Sequence, residues 1–171
     1  MQVYLGLGSN LGNREDYLKE ALRRLEVLSS GPTLQSPLYE SKALVDELDP
    51  KYIKTEPYLN QVICIETDIS ASDLLPIIKG FEKLMGRADR GHWAKREIDI
   101  DILLYGDLYI SKGRFQVPHI GLSQRQFMLA PLVDIAPKII HPTEKVAAKA
   151  MLDGLRHFEG DDLCQIWKSQ D

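Results

Sequence analysis

Arg96-Glu97-Ile98-Asp99-Ile100-Asp101-Ile102-Leu103-Leu104 is the stretch that decides how this chain is read, because it sets two carboxylates on one face of a strongly apolar strand. Side chains on a strand alternate, so Ile98, Ile100 and Ile102 point together into a core while Asp99 and Asp101 point together to the opposite side. Asp is depleted in strands, and crowded like charges raise a carboxylate pKa. A fold gains nothing from this arrangement unless a cation sits between the two acids. Mg²⁺ fits, since it is hard, prefers oxygen, and is usually held by one or two carboxylates together with substrate phosphates.

Taken alone, the same alternation describes any antiparallel strand with one wet face, and a bare Asp-x-Asp is common. The residues upstream change the weighting. Arg87, Arg90, His92, Trp93, Lys95 and Arg96 run directly into the two acids. Cations that grip phosphate oxygens, next to acids that hold the metal bridging those oxygens, are the working parts of phosphoryl-type transfer.

With 171 residues the chain suits a single domain with a real core, spanning 1–171, and is short for two. A net charge of −4 argues against a nucleic-acid surface, which makes the basic run a local site. No apolar stretch reaches the length of a membrane span, and the N-terminus enters strand-like Val3-Tyr4-Leu5-Gly6-Leu7-Gly8 without a signal-peptide pattern. The expectation is a cytoplasmic monomer with no membrane or nucleic-acid partner. Cys64 and Cys164 have no metal-ligand spacing and are read as bystanders.

Along the chain, Gln2 to Gly8 reads as a buried strand and Asn13 as the N-cap of an amphipathic helix through Leu18, Ala21, Leu25 and Leu28, stopped by Gly31-Pro32. Strands are expected over Thr33 to Glu40 and Tyr58 to Thr67, separated by an exposed loop from Ser41 to Pro57. Ser70 or Ser72 caps a second helix carrying Leu74, Ile78, Phe81 and Met85, with Pro76 near its start. Adding the strand Ile98 to Tyr105, the order is strand, helix, strand, strand, helix, strand. That is the split βαβ order of an α+β, ferredoxin-like antiparallel sheet with both helices on one face. The remainder is expected to decorate it: a strand pair over Asp107 to Ile110 and Phe115 to Val117, then C-terminal helices over about Ser123 to Ile135 and Glu144 to His157.

The glycines of Gly6-Leu7-Gly8-Ser9-Asn10-Leu11-Gly12 match neither the dinucleotide nor the Walker spacing, and are read as relieving crowding in and after the first strand. Nucleotidyltransferases also join a Gly-Ser to an Asp-x-Asp, but place them close together, whereas Ser9 and Asp99 lie far apart here. Tyr58 and Asn60 share strand parity, offering a stacking ring beside an amide. His119 and Arg125, near a helix start, offer further anion contacts.

Gly8-Ser9-Asn10-Leu11-Gly12, Tyr58-Leu59-Asn60, Arg96 with Ile98 to Leu103, Val117-Pro118-His119, and Arg125 to Leu129 with Pro131-Leu132, taken in that order, closely resemble the 6-hydroxymethyl-7,8-dihydropterin pyrophosphokinases of folate biosynthesis. The resemblance runs from residue 3 to about residue 150. It implies the ferredoxin-like fold and Mg²⁺-dependent transfer of diphosphate from ATP to the hydroxymethyl group of a reduced pterin, releasing AMP. By resemblance, Asp99 and Asp101 hold two Mg²⁺ ions, while Arg96 and, as a looser match, Arg87 neutralise charge on the transferring group. Ser41, Leu44, Tyr58, Asn60, Trp93 and Phe127 form the pterin pocket, and Glu82, Arg90, His92, Arg96, His119 and Arg125 the nucleotide side.

Four places depart from the family's usual pattern. Ser41-Lys42-Ala43-Leu44 replaces a Thr-Pro-Pro-Leu type of loop, His92 stands where an arginine is common, Ala94-Lys95 replaces Gly-Pro, and Ile120 replaces a polar or aromatic residue. A neutral His92 implies a weaker grip on ATP. Two alternatives stay open at this point: a non-catalytic ferredoxin-like module that binds a nucleotide or other small ligand, and a diphosphokinase acting on another alcohol.

Overall fold

The computed structural model of the chain describes residues 1–42, 56–88, 95–161 and 163–168. Strand β1 (Gln2–Ser9) is followed by α1 (Arg14–Glu26), the short β2 (Leu34–Gln35) and β3 (Tyr39–Ser41), then β4 (Tyr58–Glu66), α2 (Ala71–Leu84) and β5 (Asp99–Tyr105). A hairpin of β6 (Ile110–Lys112) and β7 (Phe115–Val117), helices α3 (Gln126–Ile135) and α4 (Ala148–Glu159), and β8 (Cys164–Ile166) complete the described elements. The main sheet runs β5-β1-β4-β3-β8, with β2 also on β4, and every pairing in it is antiparallel.

Alternation decides what each face of the sheet carries. Val3, Leu5 and Leu7 of β1, Leu59, Ile63 and Ile65 of β4, and Ile100 and Ile102 of β5 pack with Leu18, Ala21 and Leu25 of α1 and Leu74 and Ile78 of α2. The opposite face carries Tyr4, Val62, Cys64, Leu103 and Leu104, packed with Leu129 and Leu132 of α3 and Leu152 of α4. The chain is therefore α+β with an antiparallel sheet, and α1 and α2 share one face. The C-terminal helices do more than decorate: they cover the other face and build a second core.

One bulge reconciles the two patterns in β5. Tyr4 opposes Leu104 while Leu5 opposes Ile102, so Leu103 is the extra residue. Leu103 and Leu104 consequently enter the same core, and Tyr105 returns to the other. Before the bulge, the odd-numbered side of β5 is left for Asp99 and Asp101.

Several boundaries differ from the sequence reading. The expected strand Thr33 to Glu40 is broken into β2 and β3, because Pro37 has no N–H for the ladder. Helix α1 ends at Glu26, and Leu28 N–H and Ser29 N–H bond three residues back in a tighter final turn. The hairpin strand begins at Ile110 and not at Asp107; α3 begins at Gln126 after a 3₁₀ turn over Leu122–Gln124; α4 spans Ala148–Glu159 and not Glu144 to His157. The caps were legible: Asn13 Oδ1 accepts from Asp16 N at 3.3 Å, and Ser70, not Ser72, caps α2 by accepting from Asp73 N at 3.2 Å.

The tail, which has no sequence signal as a strand, adds β8 to the edge at β3, with Ser41 opposite Cys164. Trp167 N donates to Leu38 O at 2.8 Å and its indole N–H to Glu15 at 3.1 Å. Cys64 and Cys164 are both buried free thiols. No helix among the described residues is long and apolar enough to cross a membrane.

Candidate active site

The β1 glycines explain where a cavity forms. Across the three strands β4, β1 and β5, Asn60 opposes Gly8, which opposes Asp99; Val62 opposes Gly6, which opposes Asp101. A Cβ on Gly8 would lie 3.5 Å from both Asn60 Oδ1 and Tyr58 Cδ1, and one on Gly6 would lie 3.2 Å from Leu103 Cδ2. Their missing side chains leave a trough with the two acids on one bank and Tyr58 and Asn60 on the other. The trough opens into a cavity of about 690 Å³, also lined by Ser41, Lys79, Arg87, Arg96, Arg114, His119, Arg125 and Phe127. This size suits a small-molecule site.

On the acidic bank, Arg87 Nη1 lies 2.6 Å from Asp99 Oδ1 and 2.5 Å from Glu82 Oε2, while Arg96 Nη1 lies 2.6 Å from Asp99 Oδ2. Burial alone would raise the Asp99 pKa, but Lys79, Arg87 and Arg96 outweigh it and hold this carboxyl below its usual range. Asp101 goes the other way: burial and the neighbouring Asp99 charge push it up, only partly opposed by Lys79 and His119. Two acids of one strand face are thus driven apart in acidity. His119 is held below its normal range by burial, partly offset by Asp101. Its Nδ1 accepts from Gly121 N at 3.0 Å, which leaves the proton of a neutral ring on Nε2, 3.9 Å from Asp101.

Arg96 is aimed by the glycine-rich turn after β1. Asn10 is fully buried; its Oδ1 accepts from Arg96 N at 2.8 Å, its backbone N–H donates to Arg96 O at 3.1 Å, and its Nδ2 donates to Glu56 O at 3.2 Å. The Gly8 to Gly12 motif is therefore a clamp on the arginine and not a phosphate loop. On the opposite bank, Asn60 Nδ2 donates to Ser41 Oγ at 2.9 Å, tying β4 to β3. Burial raises the Tyr58 phenol despite the nearby Arg96 charge, so it remains a neutral ring.

Of the residues singled out in the sequence, Ser41, Tyr58, Asn60, Arg87, Arg96, Asp99, Asp101, His119, Arg125 and Phe127 line this one cavity. Glu82, expected on the nucleotide side, is not among the residues that line the cavity and stands behind its wall. It is buried, accepts from Ile100 N at 2.7 Å, and pairs with Lys79 and Arg87, so it closes the open edge of β5 and props an arginine. Leu44, Arg90, His92 and Trp93 lie outside the described residues.

Lys79 and Arg114 line the cavity without having been anticipated. The signal for Lys79 was a lysine three residues before Glu82 on an otherwise apolar helical stripe. For Arg114, at a hairpin tip, sequence carried none.

Among the described residues, no group of three or more His, Cys, Asp or Glu side chains is placed to cage a metal by protein ligands alone. Two adjacent carboxylates are the donor set that Mg²⁺ uses when phosphates and water complete its shell, and the residues fit that ion.

The family model described as 7,8-dihydro-6-hydroxymethylpterin-pyrophosphokinase matches residues 4–137. A 2-amino-4-hydroxy-6-hydroxymethyldihydropteridine pyrophosphokinase of Aquifex aeolicus is 43% identical over 140 residues, covering 82% of this chain and 83% of that one. The protein of the same name from Haemophilus influenzae is 34% identical, covering 84% and 87%. The chain also matches the folic acid synthesis protein fol1 of Schizosaccharomyces pombe at 36% identity, covering 90% of this chain but only 20% of that longer one. Among solved structures, the HPPK-DHPS protein of Plasmodium falciparum superposes on 95% of this chain and 45% of its own, with a TM-score of 0.68 at 16% identity, a likeness of fold. Matched over most of its length by the family model and by relatives of its own size, this ATP-dependent transferase belongs to the 7,8-dihydro-6-hydroxymethylpterin-pyrophosphokinase family.

Proposed function

We propose that the protein transfers the terminal diphosphate of ATP to the hydroxymethyl group of 6-hydroxymethyl-7,8-dihydropterin, a step of folate synthesis, with Mg²⁺ as the metal. The observation that carries this reading is the two-banked trough: a carboxylate pair ringed by Lys79, Arg87 and Arg96 faces Tyr58, Asn60 and Phe127 across a glycine floor. A flat heterocycle between rings and an amide on one bank puts its substituent toward the cations on the other. Asp99 and Asp101 would hold Mg²⁺, which when bound with ATP neutralises phosphate charge and fixes the phosphates for displacement.

The pterin hydroxyl oxygen bonds to the β-phosphorus, the bond from that phosphorus to the α–β bridging oxygen breaks, AMP leaves, and the hydroxyl proton passes to solvent. Arg87 and Arg96 neutralise charge on the transferring group, while His119, Arg125 and Arg114 face the rest of the phosphate chain. Transfer of this kind needs alignment and charge neutralisation more than a covalent nucleophile. The sheet order β5-β1-β4-β3, with α1 and α2 on one face, supports reading the first six major elements as the ferredoxin-like unit. We further propose that the protein acts as a cytoplasmic monomer on ATP and the reduced pterin.

The test is ATP consumption with 6-hydroxymethyl-7,8-dihydropterin and Mg²⁺, separating AMP from ADP. AMP that requires the pterin, the metal and Asp99 is the expected result. ADP, or turnover unchanged in Asp99→Asn, refutes the assignment.

A further inference from the structure

Lys79 has no part in the reaction as described above, yet it is the charged group most symmetrically placed on the aspartate pair. It lies on α2, under the face of the sheet away from the cavity, and its side chain wraps the outer edge of β5. Its Nζ donates to Ile100 O at 2.8 Å and to Glu82 Oε1 at 2.7 Å, and stands 3.8 Å from Asp99 Oδ1 and 3.8 Å from Asp101 Oδ1. Closing a strand edge asks only for a donor, and a neutral amide supplies one. A full charge equidistant from one oxygen of each acid stands to the pair as a bridging metal ion does, at greater range.

Charge balance shows what this does. Lys79, Arg87 and Arg96 set three positive charges against the three acids Glu82, Asp99 and Asp101, to which they are paired. A bare divalent ion entering this neutral cluster finds no net attraction, because the three cations offset the three acids. The same ion carried on a triphosphate arrives with net negative charge, which those cations attract.

We propose that Lys79 is the resident counter-ion of the aspartate pair: it holds Asp99 and Asp101 in place without metal, keeps free divalent ions weakly bound, and so makes the metal enter with the nucleotide's phosphates. The inference rests on the metal role assigned to these acids under the proposed function. Arg87 and Arg96 are set aside as the point of test because that function already uses them.

The experiment is Mn²⁺ titration of the metal-free, nucleotide-free protein by electron paramagnetic resonance, for wild type, Lys79→Gln and Lys79→Arg, with circular dichroism to verify folding. Lys79→Gln is expected to bind Mn²⁺ at least about tenfold more tightly than wild type, and Lys79→Arg to match wild type. Adding Asp101→Asn to Lys79→Gln should remove the gained affinity. Equal affinity in wild type and Lys79→Gln, tight binding by Lys79→Arg, or a gain that survives Asp101→Asn overturns the proposal. If Lys79→Gln does not fold, Lys79→Met is titrated and read by the same criteria. Wild-type turnover separates the two claims: AMP formation with unchanged Mn²⁺ affinity overturns the counter-ion role alone, whereas the affinity gain without AMP formation overturns the reaction and leaves the counter-ion.

Discussion

Asp99 and Asp101 are two residues apart on one face of one strand, and their neutralisation should move stability in opposite directions. Both Asp99 oxygens are engaged at 2.6 Å, one by Arg87 and one by Arg96, and its side chain is 21% exposed. Asp99→Asn takes the charged partner from Arg96 and leaves Arg87 paired with Glu82 alone. Removing one partner of a fully buried pair costs about 3–5 kcal/mol, and the solvent that reaches this site reduces the loss to about 2 kcal/mol. In a chain of this size that lowers Tm by about 4–8 °C.

Asp101 faces the Lys79 ammonium at 3.8 Å and the His119 ring Nε2 at 3.9 Å, and it stands beside another carboxylate. Asp101→Asn should leave Tm unchanged or raise it by about 1–3 °C, since it relieves a desolvated like charge. The pH dependence follows from the shifts. The Asp99 pKa is lowered on folding, so its contribution is present at neutral pH and lost as pH falls through the lowered value. The Asp101 pKa is raised, so the native protein retains a proton that the unfolded chain has released, and stability is lost as pH rises from the usual carboxylate range through the raised value. Thermal unfolding in EDTA, at neutral pH and at a series of lower pH values, reads both. The two variants should diverge at neutral pH and converge with wild type in acid. Equal losses in the two variants, or no loss in Asp99→Asn, would refute the charge assignment of the site.

Asn10→Ala should cost about 2–3 kcal/mol, because it leaves Arg96 N and Glu56 O without their buried partner, and should lower kcat more than it raises the KM for pterin; urea unfolding and steady-state kinetics measure the two. Gly121→Ala puts a methyl 2.7 Å from Arg125 Nε, so the guanidinium must swing aside; the KM for ATP should rise about threefold to tenfold with Tm little changed, and an unchanged KM would remove Arg125 from the nucleotide side. Trp167→Ala removes the ring stacked 4.9 Å from the Arg14 guanidinium, which itself holds Glu40 and Pro57 O at 2.8 Å. A loss of about 1–2 kcal/mol is expected, with a raised KM for pterin and an unaltered KM for ATP; Trp167→Phe should restore most of the pterin KM.

Sequence alone determined what depends on local periodicity and residue chemistry. The Ile/Asp alternation in β5 placed the acids opposite a core, helical spacing gave α1 and α2, side-chain oxygens at Asn13 and Ser70 marked their starts, and the run of motifs named the family. Strand parity likewise grouped Tyr58 with Asn60, because a period of two is a property of the backbone.

Tertiary structure decided whatever depends on elements far apart in the chain. That the Gly6 and Gly8 row is the cavity floor follows from register across three strands, which one strand's sequence does not contain. Glu82 sits behind the cavity wall and Lys79 on it, because α2 lies beside the open edge of β5 and its long polar side chains reach the unpaired backbone groups there. The tail found its place as β8 for a similar reason: its short stretch has no distinctive pattern of its own, and it is ordered by the free edge of β3 and by the Arg14–Trp167 stack, partners far away in the chain. Local pattern fixes which way a side chain points along its own element; only packing fixes what it meets.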